Sequence, residues 1–175
     1  VEWNGSVSSN WNTAGNWNGG AVPDASNKAG FKTATGPVVT ASTPTCDQWT
    51  LGGSSGGLVT VNSGGTVSTN GRVALGQSTG ESGTLTMNGG TATFGGILDL
   101  GYGGTGHINL DGGTINAADF AMRASGGTGT MDVTDGTLIV DGDLASTING
   151  YISSGWITTS GGRTLNVDYN VSNAG

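Results

Sequence analysis

Four charged side chains, Arg72, Asp99, Asp119 and Arg123, fall on or beside the third strand-like run of successive repeats, with Asp143 on the next. Two carboxyl groups held roughly 5 to 9 Å apart are what glycoside hydrolysis requires, one as acid and one as base or nucleophile. We expect Asp99 and Asp119 to come near that range on adjacent repeats. Nothing around them signals a raised pKa, and arginines at this spacing pair with carboxylates at a surface for little energy. We therefore read Arg72, Asp99 and Arg123 as ligand-contacting groups and name no catalytic residue. An elimination mechanism would need a base and a charge neutraliser. His107 is the sole histidine and stands in a polar row, beside Asn109, without an obvious partner. Asp132, Asp135, Asp141 and Asp143 cluster in sequence. Calcium takes six to eight oxygen ligands, so a structural calcium ion is the one cofactor the acids leave open; otherwise we expect none. There is no CxxC, no phosphate-cradling glycine loop and no GxSxG.

Sugar rings stack on exposed aromatic faces. Tyr102 follows Leu100-Gly101 at the end of a strand-like run, in a long glycine corner, and is the foremost candidate for such stacking. Tyr151 and Trp156 fall in the closing segment, and Tyr151 is a further candidate contact. Trp3, Trp11 and Trp17 are expected to plug the amino-terminal end, and Trp49 to lie in the core. A second candidate surface is a polar ladder of Thr84, Thr86 and Asn88, then His107, Asn109 and Asp111, then Thr130, Asp132 and Thr134.

These residues are positioned by a repeat. GTLTMNGGTATFGGILDLGYGGT, GHINLDGGTINAADFAMRASGGT and GTMDVTDGTLIVDGDLASTINGY begin at Gly83, Gly106 and Gly129, 23 residues apart, and a looser copy begins 26 residues earlier at Gly57. A fixed period in the low twenties marks a stacked solenoid. Each copy holds three short strand-like runs separated by Gly and Asn corners, which supply positive φ. Alternation at period two assigns the inward columns. Val59, Leu85, Ile108 and Met131 form one, with Val61, Met87, Leu110 and Val133 beside it. Val67, Ala92, Ile115 and Leu138 form the second-strand column. Val73, Leu98, Phe120 and Leu144 form the third, with Leu75, Leu100 and Met122 beside it. Thr66, Thr91, Thr114 and Thr137 form an outward ladder.

The expected fold is all-β. It is a single-stranded parallel β-helix, right-handed by the crossover rule, of about five coils with three strands each. Thirty-six glycines in 175 residues oppose helix, so helices should be few and short. We read one domain over 1–175, with an amino-terminal cap over 1–36, coils over 37–149 and a carboxy-terminal cap over 150–175.

The net charge of −7 argues against nucleic acid and anionic membrane surfaces as partners. Charged residues are 10% of the chain, and Ser, Thr, Asn and Gly carry its polarity. The lone Cys46 excludes an internal disulfide and is expected to be a buried thiol. No leader peptide or apolar span is recognisable, and Val1 is not methionine; we expect a mature or excised piece of a secreted or cell-surface protein.

The GTLTMNGGTATFGGILDLGYGGTG pattern resembles the Gly-rich β-helix repeats of bacterial autotransporter passengers and surface proteins. The opening WNGSVSSNWNTAGNWNGGAVPDASNKAGF resembles the segment that often precedes such repeats. The ending NGYISSGWITTSGGRTLNVDY is similar to the close of repeat regions in secreted proteins of polysaccharide-degrading bacteria. The resemblance implies a module appended to a covalently linked catalytic domain. Together with the polar ladders and tryptophans, it leads us to expect a non-catalytic carbohydrate-binding module for a cell-wall or algal polysaccharide. The alternative is a structural or adhesive stalk.

Overall fold

The computed structural model describes residues 1–161. Eleven strands follow in order: β1 (Lys28–Phe31), β2 (Val38–Val39), β3 (Gln48–Leu51), β4 (Gly57–Val61), β5 (Thr66–Thr69), β6 (Val73–Leu75), β7 (Ser82–Leu100), β8 (Thr105–Met122), β9 (Thr128–Val133), β10 (Thr137–Val140) and β11 (Ile157–Thr158). One helix, α1 (Ala145–Ser153), precedes β11, and a single 3-10 turn spans Ala14–Asn16. Every strand pairing is parallel, and the chain winds as a β-solenoid of about six turns.

Three stacks of strands wall the interior. The first runs β2, β4, β7, β8, β9, β11; the second runs β5, β7, β8, β10; the third runs β1, β3, β6, β7, β8. β7 and β8 each pass continuously through all three walls. Their register slips between Met87 and Thr91 and between Phe94 and Ile97, where the glycine corners fall.

The inward columns pair as the alternation requires: Val59 with Leu85, Ile108 and Met131; Val67 with Ala92, Ile115 and Leu138; Trp49 with Val73, Leu98 and Phe120. The Thr66, Thr91, Thr114, Thr137 ladder also stands in register. Val59, Leu85, Leu98 and Ile108 are fully buried, and burying such a side chain stabilises the fold by about 1.5–3 kcal/mol. Cys46 is fully buried as well, and burial pushes its thiol pKa up to about 11.

An open solenoid end exposes core and must be covered. At the amino end the cover is aromatic. Trp3, Trp11, Trp17 and Trp49 are all buried. Trp11 sits 4.9 Å from Trp17, and 5.3 Å from both Phe31 and Trp49. Buried Asn16 ties the loop down, its Oδ1 accepting from the N–H groups of Val7 and Ser8. The cap tryptophans are therefore core, as expected, and offer no face to a ligand.

Two boundaries differ from the sequence reading. The parallel stack already begins at β1, inside the stretch read as amino-terminal cap. At the other end, Leu144 does not continue the Val73, Leu98, Phe120 column. It is the N-cap of α1, and helix replaces the third strand of the last coil. The helix brings Tyr151 against Phe120, with ring centroids 6.1 Å apart, and so closes the core from that side. Residues 162–175, including Arg163 and most of the expected carboxy-terminal cap, lie outside the described residues.

Candidate functional site: a trough on the third wall

The outer face of the third wall has an unusual section. Its central row reads Gly30, Thr50, Ala74, Asp99, Ala121 from coil to coil, all short side chains. One flank is the row of longer residues two positions earlier: Lys28 opposite Gln48, then Arg72, and Ile97 opposite Asp119. The other flank is the corner at the end of the third strand, which carries Gln77 and Tyr102. Small residues between two raised flanks make a trough parallel to the solenoid axis. It is roughly 19 Å long from Gly30 to Ala121 at about 4.8 Å per coil. At its amino end it opens into a cleft of about 330 Å³, whose lining includes Glu2, Lys28, Lys32, Thr50, Gln77 and Glu81.

Further along, the trough is bridged. The Arg72 guanidinium donates from Nη2 to Asp99 Oδ2 at 2.7 Å and lies over the Tyr102 ring, 4.9 Å from its centroid. Tyr102 is 41% exposed, whereas Asp99 is 3% exposed. Parity places Asp99 on the outward face, as the sequence predicts. Its burial is the correction: it is a floor residue roofed by Arg72 and Tyr102, not a surface carboxylate. Its second oxygen, Oδ1, is buried with no hydrogen-bond partner.

Four of the five basic residues, Lys28, Lys32, Arg72 and Arg123, lie along this wall or its corner in a chain of net charge −7. The Glu2 carboxylate, hydrogen-bonded to Lys32, pushes that ammonium's pKa up. Arg72–Asp99 and Lys32–Glu2 are the two ion pairs among the described residues. Lys28 and Glu81 add one side-chain charge of each sign, so the cleft is polar and its side-chain charges balance.

Asp99 and Asp119 stand on the same wall of adjacent coils, but diagonally and not directly opposite. Leu98 stands opposite Phe120, so Asp99 faces Ala121 while Asp119 faces Ile97. The two acids occupy different rows, one roofed and one exposed with its Oδ1 accepting from the Phe120 N–H. Arg123 makes no ion pair among the described residues. Its Nε donates to Gly129 O at 3.1 Å, and its guanidinium lies 4.2 Å from the Trp156 ring centroid. Tyr151 stacks on the other aromatic of this group, 5.5 Å from Trp156, and its hydroxyl accepts from the Met122 N–H. The Tyr151, Trp156 and Arg123 stack belongs to the carboxy-terminal closure.

His107 is partnered, contrary to expectation. Nδ1 meets Thr130 Oγ1 at 2.7 Å and Nε2 meets Asn109 Oδ1 at 2.8 Å, while Asn109 Nδ2 reaches Thr86 Oγ1 at 3.4 Å. The polar ladder of the first wall thus bonds largely to itself. One coil beyond Asn109, Asp132 keeps a buried Oδ1 without a partner. Among the described residues, no group of three or more His, Cys, Asp or Glu is placed to hold a metal ion.

Sequence reading missed Glu2, Lys28, Lys32 and Glu81 as neighbours. They converge because Glu2 pairs with Gly30, adding the amino-terminal segment to the end of the third wall. That pairing carries no repeat signal. No family model, curated protein or solved structure matches the chain.

Proposed function

We propose that this chain is a non-catalytic carbohydrate-binding module of a secreted bacterial polysaccharide-degrading enzyme, with the trough of the third wall as its binding face. The observation that carries this reading is the trough itself. Small floor residues leave room for a chain, an exposed tyrosine stands on its rim beside a guanidinium, and polar side chains line the cleft at one end. Sugars are bound by this combination: aromatic rings meet their apolar C–H faces, and planar polar groups meet their hydroxyls.

The partner is an extended cell-wall or algal polysaccharide. A repeating polymer suits a repeating floor, because every coil offers the same spacing. Tyr102, Arg72 and Asp99 are the contacts proposed here, with Thr50, Gln77 and Lys28 towards the cleft. Of the other contacts expected from the sequence, His107 and Asn109 bond within the first wall, and Arg123 and Tyr151 pack in the carboxy-terminal closure; none is part of this proposal. Like the partner, the secreted location and the link to a catalytic domain are proposals that come from the resemblance and the composition.

The test is retention of the purified chain on agarose, carrageenan, alginate, xylan, pectin, cellulose and chitin, with each supernatant assayed for new reducing ends and unsaturated products. Saturable retention on one polymer class without products is the expected result. Products would replace the binding reading with an enzymatic one, and no retention on any polymer would leave the stalk.

A further inference from the structure

We propose that Asp99 is the specificity-determining acceptor of the trough, that the Arg72–Tyr102 roof swings off it when ligand binds, and that the ligand is an uncharged polyhydroxylated sugar chain. This inference rests on the binding reading above and deepens it.

A carboxylate oxygen buried without a donor is costly, and native proteins keep few of them. Asp99 Oδ1 is one. Its flanking floor residues, Ala74 and Ala121, carry no side-chain donor. The groups recorded above Asp99 are long and partly exposed: Arg72 on its Oδ2, with a side chain 30% exposed, and Tyr102, 41% exposed, against the guanidinium. Tyr102 sits on a corner whose preceding residue, Gly101, has φ +68, and the contact that joins it to Arg72 is face-on, without a hydrogen bond to hold it. The roof can therefore open without moving a strand.

Opened, the site offers complementary groups. Ionised Asp99 accepts on both oxygens and donates nothing, while the arginine has four N–H donors beyond the one given to Asp99. Two neighbouring sugar hydroxyls satisfy both: one donates to Oδ1, and one accepts from the guanidinium. The freed tyrosine ring then has a face for the sugar's C–H surface. A carboxylate or sulfate at this position would meet Asp99 head-on, and a cationic polymer would meet Arg72, Lys28 and Lys32. An uncharged chain meets neither penalty.

Affinity electrophoresis in gels containing a neutral glucan, xylan or agarose, alginate, polygalacturonate or chitosan, at low and high salt, tests this. Wild-type protein is expected to be retarded by a neutral polymer with little salt dependence. Asp99→Asn is expected to weaken that retardation about tenfold or more while still melting cooperatively. Should Asp99→Asn fail to fold, the wild-type Arg72 side-chain nitrogen resonances supply the readout: they must shift when a neutral oligosaccharide saturates the site. Retardation only by charged polymers, and lost at high salt, would overturn the neutral-sugar assignment while leaving a binding module. Neutral-polymer binding that Asp99→Asn leaves unchanged, or that leaves the Arg72 resonances unshifted, would remove Asp99 and its roof from the site. No retardation in any gel would sink the binding reading and this inference with it.

Discussion

Arg123 occupies, one coil on, the position that Gly101 holds. The residues before them, Leu100 and Met122, are paired in register, Arg123 donates its N–H to Leu100 O at 2.9 Å, and both backbones are left-handed, with φ +68 at Gly101 and +59 at Arg123. Arg123 is the one non-glycine residue with positive φ among the described residues. The contrast has a steric cause. A Cβ on Gly101 would stand 2.2 Å from Thr128 O in the next coil. Beyond Arg123 the next coil runs through β9 and β10 and then has α1 in place of a third strand, and the Trp156 ring lies over the guanidinium.

Two substitutions at this corner should therefore differ sharply. Arg123→Gly relieves left-handed strain of about 1–2 kcal/mol. It also loses a cation–π contact of about 0.5–1 kcal/mol and adds unfolded-state entropy, so net stability should move by less than about 1 kcal/mol. Gly101→Ala combines left-handed strain with a backbone clash and should cost about 3 kcal/mol or more. Urea unfolding of both variants checks this; a Gly101→Ala as mild as Arg123→Gly would contradict the stacking geometry.

The two partners of the roofed ion pair are unequal. Arg72→Gln leaves a buried carboxylate uncompensated and should destabilise by about 2 kcal/mol or more. Asp99→Asn leaves Arg72, which is already partly hydrated, and should cost about 1 kcal/mol or less. Chemical denaturation gives the order directly. The reverse order would mean that Asp99 is less enclosed than the structure has it.

Cys46 predicts an alkaline limit to stability. Its folded pKa of about 11 exceeds the ordinary value of 9.0 because burial disfavours the thiolate. A raised folded pKa gives stability that is fully present below the unfolded value and lost as pH rises through the folded one, here between about 9 and 11. Cys46→Ala should flatten that part of the stability profile. In the native protein at pH 8, the thiol should resist a thiol-specific reagent and react on unfolding. Rapid labelling of the folded protein would show that the site is open to solvent.

Core substitutions should ignore the functional site. Leu98 is fully buried in the third-wall column, so Leu98→Ala should cost about 2–5 kcal/mol, and Leu98→Asp should abolish folding by burying an unpaired charge. Circular dichroism reports both. A folded Leu98→Asp would show that the column does not face the interior.

The walls were legible because one period of 23 residues writes the same small apolar residues onto the same positions, and strand alternation then fixes which face they take. The site was less so. The columns alone place Asp99 after Leu98 and Asp119 before Phe120, so their separation into different rows was available in the sequence and overlooked. The Thr130 partner of His107 lies in its own row one coil on and was available in the same way. The roof over Asp99 was not, because it depends on the reach of two long side chains from opposite flanks. The convergence of Glu2 with Lys32 was equally hidden, since the amino-terminal segment joins the wall outside the repeat. Leu144 fitted the column by spacing, but α1 closes the end of the core where a further third strand would have left it open.

Binding of a polysaccharide in the trough through Tyr102 is tested by affinity electrophoresis of wild-type protein and Tyr102→Ala in the same polymer gels. Tyr102 is exposed and outside the core, so the substitution should leave the melting temperature nearly unchanged. Wild-type protein is expected to be retarded by one polymer class, and Tyr102→Ala, fully folded, to lose most of that retardation. Equal retardation of the two proteins would contradict binding through Tyr102 and move the binding face away from the third wall.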